Sequence, residues 1–292
     1  ETPADLTYYD CETLDEVTGN FQPHFKPTGL SPELMLSINY LSRGIINRDI
    51  AVEILGEIDP LQDLQTQEYH LNLKMIEREC RFRHIPGVLV TQPGLVKPDH
   101  AERRNIIQEH LARQGLRKVA SVEMPSGVRF TWDIGNPSLT LVILTKNHQA
   151  MLATLLTSIQ ADLRRHNAKL IIVDNGSDDA VTLAYYRKLT SEPNITIIPY
   201  HQPFNYSEAI NLGVRASSSD LVLLLNDDMQ RMDPNWLEEL MGWAVRPQVG
   251  VVGTKLLRAN HTIQHAGIIM GLSGFAGHIY LNAPEHYQGL FG

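Results

Sequence analysis

From about Asn136 onward the chain alternates two kinds of segment. Dense apolar runs, "LTLVILTKN", "KLIIVDNGS", "ITIIPY", "DLVLLLNDD" and "VGVVGTKLL", are apolar at successive positions, as strands buried on both faces must be. Between them lie "HQAMLATLLTSIQADLRR", "DAVTLAYYRKLT", "NYSEAINLGVRAS" and "PNWLEELMGWAVRP", where apolar residues recur at helical spacing. The alternation predicts an α/β fold with a mostly parallel sheet of five strands covered by helices.

The front of the chain follows a looser pattern. Residues 1–30 read as loops and one short strand. "SPELMLSINYL" predicts a helix capped by Ser31 with Pro32 in its first turn. "NRDIAVEILGEI" predicts a second, and "TQEYHLNLKMIERE" a third with Thr66 as cap and Leu71, Met75 and Ile76 as its stripe. "FRHIPGVLV" reads as a short strand. "PDHAERRNIIQEHLARQG" predicts a helix capped by Asp99, striped by Ile106, Ile107 and Leu111, and stopped at Gly115. "KVASVEMPSGVRFTWDI" reads as two strands around a Pro-Ser-Gly turn.

Composition narrows the class. The 292 residues suffice for one large or two moderate domains, and 43% apolar with 20% charged residues suits a globular protein. A net charge of -8 argues against a general nucleic-acid surface. Cys11 and Cys80 form neither a disulfide framework nor a zinc motif, which points to a reducing compartment. No apolar run reaches the roughly 18 residues that read as a membrane span, and no signal peptide is visible.

Polar residues accumulate where such a sheet binds ligands, beyond the carboxyl ends of its strands. Three strands end in "TKN", "DNGSDD" and "NDD". No GxGxxG or GxxxxGKS motif accompanies them, so the acids carry the signal. In an extended chain Asp227 and Asp228 would face opposite ways, one toward a ligand and one into a loop. Asn226 and Asp228, two apart, would point the same way and could hold a hard divalent cation, Mn2+ or Mg2+, through oxygen, with a diphosphate completing the shell. An isolated acid pair is more often a strand end and turn cap; two further polar strand ends shift that balance. Asp174 could accept from a base or ribose, or merely shape the "DNGS" turn, and Thr145 and Asn147 share the ambiguity. His265 and His278, flanked by glycines, are candidates for phosphate or sugar contacts or ordinary loop histidines. Lys255 could neutralise phosphate or simply be solvated.

"LTLVILTKN", "LIIVDNGSDD", "PFNYSEAINLGVRASSSDLVLLLNDDM", "WLEELMGWAVRPQVGVVGTKLL" and "TIQHAGIIMGLSGFAGH" together resemble the inverting family 2 glycosyltransferases of bacterial polysaccharide synthesis, especially the rhamnosyltransferase-like group. The resemblance spans about Leu139 to His278 and implies a glycosyltransferase A-type nucleotide-sugar-binding fold. It implies that Asp174 lies near uracil or thymine and ribose, that Thr145 and Asn147 form the first nucleotide loop, and that Asn226, Asp227 and Asp228 serve the cation and diphosphate. Phe204, Asn205, Tyr206, Ser207 and Asn211 match the loop and helix under the donor. Gln264, His265, Gly267, Gly277 and His278 match a segment beside the donor sugar.

Residues 1–92 resemble the same family displaced: the second half of one transferase-like unit, joined through a bridge at 93–135 to the front of another at 136–292. This implies a tandem-domain parent, cut at both ends. Departures accompany it. An Asp-Tyr-Asp-Leu pattern of the family reads Glu68, Tyr69, His70, Leu71, and Tyr9, Asp10, Cys11 and Glu12 stand where a tyrosine and paired acids are expected. The family's general-base aspartate has no counterpart by Gly292, so the catalytic base is unknown, with Glu68 a stand-in. The resemblance implies direct displacement at the anomeric carbon with inversion. It also implies a glycan or lipid-linked glycan acceptor, no nucleic acid, and a cytoplasmic location with peripheral association at the inner face of a bacterial membrane. Two alternatives stay open: a non-catalytic carbohydrate-binding or assembly module derived from a transferase, and a nucleotidyltransferase, for which "TKNHQAM" lacks the expected glycine-rich basic loop.

Overall fold

The computed structural model describes residues 3–15, 17–93, 100–116, 119–124 and 127–287. They divide into two compact units, Glu1–Thr131 with Lys255–Gly292, and Trp132–Thr254. These limits differ from divisions at 92 and 135, which remain a reading of the sequence.

The first unit is built on β1 (Leu6–Leu14), flanked by antiparallel β2 (Phe21–His24). Helix α1 (Pro32–Ser37) follows, capped by Ser31 as expected, then β3 (Ile45–Ile46), antiparallel to the start of β1. Helices α2 (Arg48–Leu55) and α3 (Leu64–Glu77) lead to β4 (Phe82–Pro93), parallel to β1. Where loops and one short strand were expected, residues 1–30 hold the nine-residue β1 as well as β2; Asp10 and Glu12 break the apolar pattern by which a strand is recognised. Irregular pairing with β4 around Asp10 interrupts the alternation, so Asp10 and Cys11 are both buried although adjacent. The cap of α3 is Asp63, whose carboxylate accepts from the Gln65 and Thr66 amides; Thr66 instead donates its hydroxyl to Asp63 at 2.5 Å. An ionised carboxylate accepts these donors more strongly than a hydroxyl does.

In α4 (His100–Arg113) the expected stripe of Ile106, Ile107 and Leu111 is buried, and Gly115 follows in the left-handed region at φ +80. Asp99 lies outside the described residues. Glu77 of α3 ties α4 down: it accepts from His110 Nδ1 at 2.7 Å and from Arg113. Strands β5 (Val119–Met124) and β6 (Gly127–Trp132) form the expected two-stranded sheet, with Pro125 and Ser126 of the turn outside the described residues.

The second unit contains the alternating pattern. Its elements are β7 (Leu139–Thr145), α5 (Gln149–Arg165), β8 (Lys169–Asp174), α6 (Ala180–Leu189), β9 (Ile195–Pro199), α7 (Tyr206–Ala216), β10 (Leu221–Asn226) and α8 (Trp236–Ala244). The sheet is wholly parallel, in the order β10-β7-β8-β9. Leu139, Leu141 and Ile143 turn to one face, where Leu152, Leu155 and Ile159 of α5, Leu189 of α6 and Leu237 and Met241 of α8 bury them. Val142, Ile171 and Val173 turn to the other, against Ala209 and Ile210 of α7. The switch of faces follows from handedness. The connections β7 to β8 to β9 progress one way, that from β9 to β10 returns the other way, and right-handed crossovers then put α7 on the opposite side.

The expected fifth strand is not part of this sheet. Of "VGVVGTKLL" only β11 (Leu256–Leu257) is extended in a ladder, and it pairs antiparallel with β12 (Ile263–His265). An apolar run specifies burial or pairing, not which neighbour supplies it. Strands β13 (Ile268–Met270) and β14 (Ala276–His278) close an antiparallel hairpin. Among the described residues no helix is long and apolar enough to cross a membrane.

Two outcomes test this packing. A Cβ on Gly213 of α7 would lie 2.5 Å from Val142 Cγ1 and 2.9 Å from Val173 Cγ2. Gly213→Ala should therefore destabilise the protein by about 1–3 kcal/mol in urea unfolding, despite alanine's helix preference. Burial would raise the Glu77 carboxyl, but His110 and Arg113 hold it down at about 2, against an ordinary 4.5. Its contribution, about 1–2 kcal/mol once solvent screening is allowed for, is complete above pH 4.5 and drains away as pH falls toward 2. Glu77→Gln should flatten that part of the stability profile.

Candidate functional site

The strand order reverses at β7: its neighbours are β8, next in the chain, and β10, last of the four strands. Such a reversal opens a crevice beyond the carboxyl ends of the strands, because the connecting loops leave in opposite directions. Asn226 pairs with Leu144, and Thr145 pairs with Asp174, so all three strand ends finish on one edge.

Asp227 occupies the crevice. Its Oδ2 accepts from the Thr145 hydroxyl at 2.6 Å and from His148 Nδ1 at 2.9 Å, and its side chain is 13% exposed. Asp228 is exposed, as is Asn226. The two acids differ in exposure, and the strand pleat is not the cause. Strand β10 stops at Asn226 and both acids sit in the following turn. Asn226 and Asp228 present oxygen donors, and among the described residues no three His, Cys, Asp or Glu groups gather as a metal would need without further ligands. That donor set fits a hard cation completed by waters and phosphate oxygens, and does not fit a closed protein cage.

Asp174 ends β8 and is almost buried. Its Oδ1 accepts from the Ser177 hydroxyl at 2.5 Å and the Tyr186 phenol at 3.1 Å, and both its oxygens approach the Ser177 amide. Burial pushes the Tyr186 phenol above its ordinary range, Ser177 offsets part of this, and the Asp174 charge adds to it. The phenol therefore stays a donor to Asp174. Asn147, at φ +56, binds the two loops together: its side chain donates to Asp178 at 2.7 Å and accepts from the Asp178 and Asp179 amides, while its own amide donates to Ser177. Thr145 and Asp227 thus share one side-chain cluster with His148, and Asn147 and Asp174 share another through Ser177; the two meet at the main chain, where the Asn175 amide donates to the Thr145 carbonyl at 2.9 Å.

Asn205 caps α7 by accepting from the Glu208 amide, and Asn211 lies exposed on the same helix, with Phe204, Tyr206 and Ser207 also exposed. His265 and His278 belong to the other unit. Their rings meet edge to face, Nδ1 to Nδ1 at 2.9 Å, so one ring donates and the other accepts. The glycine beside them is there for local steric reasons, since a Cβ on Gly277 would lie 2.9 Å from Leu272. Lys255 donates to the Glu285 carbonyl.

The acids of residues 1–92 are committed internally. Asp10 accepts from the Lys26 amide and from His84 Nε2 at 2.9 Å, and Glu12 accepts from Thr91. The Glu68 carboxylate accepts from the Arg43 amide, and His70 is buried, with burial lowering its proton affinity. His148, Ser177 and Tyr186 escaped the reading of the sequence. His148 could have been found, since it directly follows "TKN" at a strand end; Ser177 and Tyr186 act through loop and helix geometry that spacing does not reveal.

Residues 140–267 match the family model for Glycosyl transferase family 2. The match, over somewhat less than half of the chain, relates this stretch to family 2 glycosyltransferase domains. The stretch carries the parallel α/β sheet described above, consistent with a nucleotide-sugar-binding fold of the GT-A type. Over 305 residues the chain is 32% identical to the uncharacterized protein y4gI of Sinorhizobium fredii, covering 99% of this chain and 33% of that protein. Over 293 residues it is 31% identical to the O-antigen biosynthesis protein RfbC of Myxococcus xanthus, covering 96% of this chain and 23% of that one. The chain therefore spans a third or less of the length of these relatives. Among solved structures, the mannosyltransferase PcManGT from Pyrobaculum calidifontis, in complex with GDP-Man and Mn2+, is similar over 40% of this chain and 34% of its own, at 22% identity and a TM-score of 0.36.

If Asn147 holds the loops after β7 and β8 together, Asn147→Ala should lower stability by about 1–3 kcal/mol, from lost hydrogen bonds and a strained left-handed alanine. Hydrogen exchange should accelerate at the Asp178 and Asp179 amides before it does so in β7 or β8.

Proposed function

We propose that the domain transfers a sugar from a nucleotide-sugar donor to a glycan or lipid-linked glycan acceptor, with inversion and with help from a divalent cation. The observation that carries this reading is the convergence of Asp174, Thr145 and Asp227 at the strand-order reversal, inside residues that match a glycosyltransferase family. Asp174 and Asn147 would shape the nucleoside side and Asp227 the ribose. Asn205 and Asn211 would lie under the donor. Asn226 and Asp228 would hold Mn2+ or Mg2+, which when bound offsets charge on the departing diphosphate. An acceptor hydroxyl would attack opposite the diphosphate while a carboxylate removes its proton. Likeness to an O-antigen biosynthesis protein supports a polysaccharide acceptor. A rhamnosyltransferase-like activity, a tandem-domain parent and work at the inner face of a bacterial membrane belong to the same proposal through the sequence resemblance alone.

A second reading, a binding or assembly module without turnover, is favoured by one observation: Glu68 and His70, at the acceptor-side pattern, are respectively hydrogen-bonded to backbone and buried. A transfer assay on a donor-binding preparation separates the two.

The donor reading is tested by thermal shift with UDP-, dTDP- and GDP-sugars, with and without Mn2+. One donor should raise the melting temperature, by about 2.7 kcal/mol of stabilisation at a hundredfold excess over Kd. Asp228→Ala should abolish the Mn2+-dependent part while leaving the unliganded melting temperature in place. Cation-dependent binding that survives Asp228→Ala unchanged would remove Asp228 from the site.

A further inference from the structure

His148 stands at the N-cap position of α5, yet its side chain makes no capping hydrogen bond. Serine, threonine, aspartate or asparagine would serve that helix better. The ring instead reaches across to Asp227, 79 positions away, and meets the same carboxylate oxygen that Thr145 already holds. Asp227 Oδ1 has no partner among the described residues. The acid's side chain is 13% exposed and the imidazole's 54%, so the ring spans from a mostly covered carboxylate to solvent.

An ionised carboxylate only accepts, so Nδ1 must carry the hydrogen in this contact. The neutral ring is then the tautomer whose Nε2 is a bare lone pair. Among the described residues Nε2 has no partner. A bare acceptor at the mouth of a nucleotide-sugar crevice suits a hydroxyl donor, and it repels phosphate oxygens, which are themselves acceptors. We propose that His148 is a specificity-determining residue of the donor site: its Nδ1–H fixes Asp227, and its Nε2 accepts a hydrogen bond from a donor hydroxyl. The inference rests on the donor-site reading above and adds the group that the site recognises. Two sources share that chemistry, the ribose and the transferred sugar.

The test uses the full chain, calorimetry, and two substitutions of one exposed residue. The probes are UDP, GDP and dTDP, each alone and as its hexose conjugate, with Mn2+ present. His148→Asn keeps an amide N–H near the Nδ1 position and so retains the hold on Asp227, but loses the distal acceptor. His148→Gln places an amide oxygen near Nε2. For the nucleotide sugar that binds wild type, His148→Asn should weaken binding about tenfold, the size of one lost hydrogen bond in a partly solvated site. His148→Gln should recover binding to within about threefold of wild type. Loss toward the nucleoside diphosphate alone as well as the conjugate assigns the hydroxyl to the ribose. Loss toward the conjugate only assigns it to the transferred sugar. Wild-type affinity in His148→Asn would overturn the proposal and leave the donor site intact, as would loss in His148→Gln without loss in His148→Asn. Failure of every probe to bind wild type would overturn the donor reading and this proposal together.

Discussion

One hydrogen bond organises the site: the Thr145 hydroxyl to the Asp227 carboxylate at 2.6 Å. It joins the end of the first strand of the sheet to the turn after the fourth, residues separated by 82 positions in the chain. The bond is possible only because β10 lies beside β7 and not beside β9. Moving β10 to the far edge would leave Asp227 facing solvent alone. The right-handed crossover through α7, and the absence of a side chain on Gly213 that lets α7 lie close to Val142 and Val173, are therefore conditions for the site as much as for the core.

The acids around that bond differ through their surroundings. Asp174 is held by Ser177 and Tyr186 and is nearly buried, a scaffold for the "DNGS" turn. Asp227 has one oxygen engaged twice. Asp228 is exposed. A gradient from internally satisfied to solvent-facing carboxylates runs along one edge of the sheet, and it suits a ligand that brings its own charges and hydroxyls to the open end. The first unit shows the opposite arrangement. Asp10 is closed by His84 and Lys26, and Glu12 by Thr91, so the same residue types there stabilise β1 and β4.

Where pattern and position coincided, the elements were legible. The four strands and four helices of the second unit lie where the apolar runs and helical spacing put them; for β7 and β8 the reason is burial on both faces of a parallel sheet, whereas the edge strand β10 is as apolar although Val222 and Leu224 are exposed. Reading failed where a polar residue is buried with a partner. Within residues 1–30 only one short strand was expected and not placed, and the nine residues of β1 were not legible because its Asp10 is satisfied by groups 16 and 74 residues away. Asp63 displaced Thr66 as the α3 cap for a local reason: the two compete within three positions, and charge decides.

The order of polar strand ends along the chain, and the residue types they bring, were determined by the sequence alone, since a dense apolar run marks a strand and the polar residues after it mark the strand's end. Which of those ends meet was decided by tertiary structure. Neighbour choice in a sheet depends on crossover handedness and helix packing, which no local window contains. The same is true of His148, the first residue of a predicted helix by sequence, whose partner became visible only when β10 took its place beside β7.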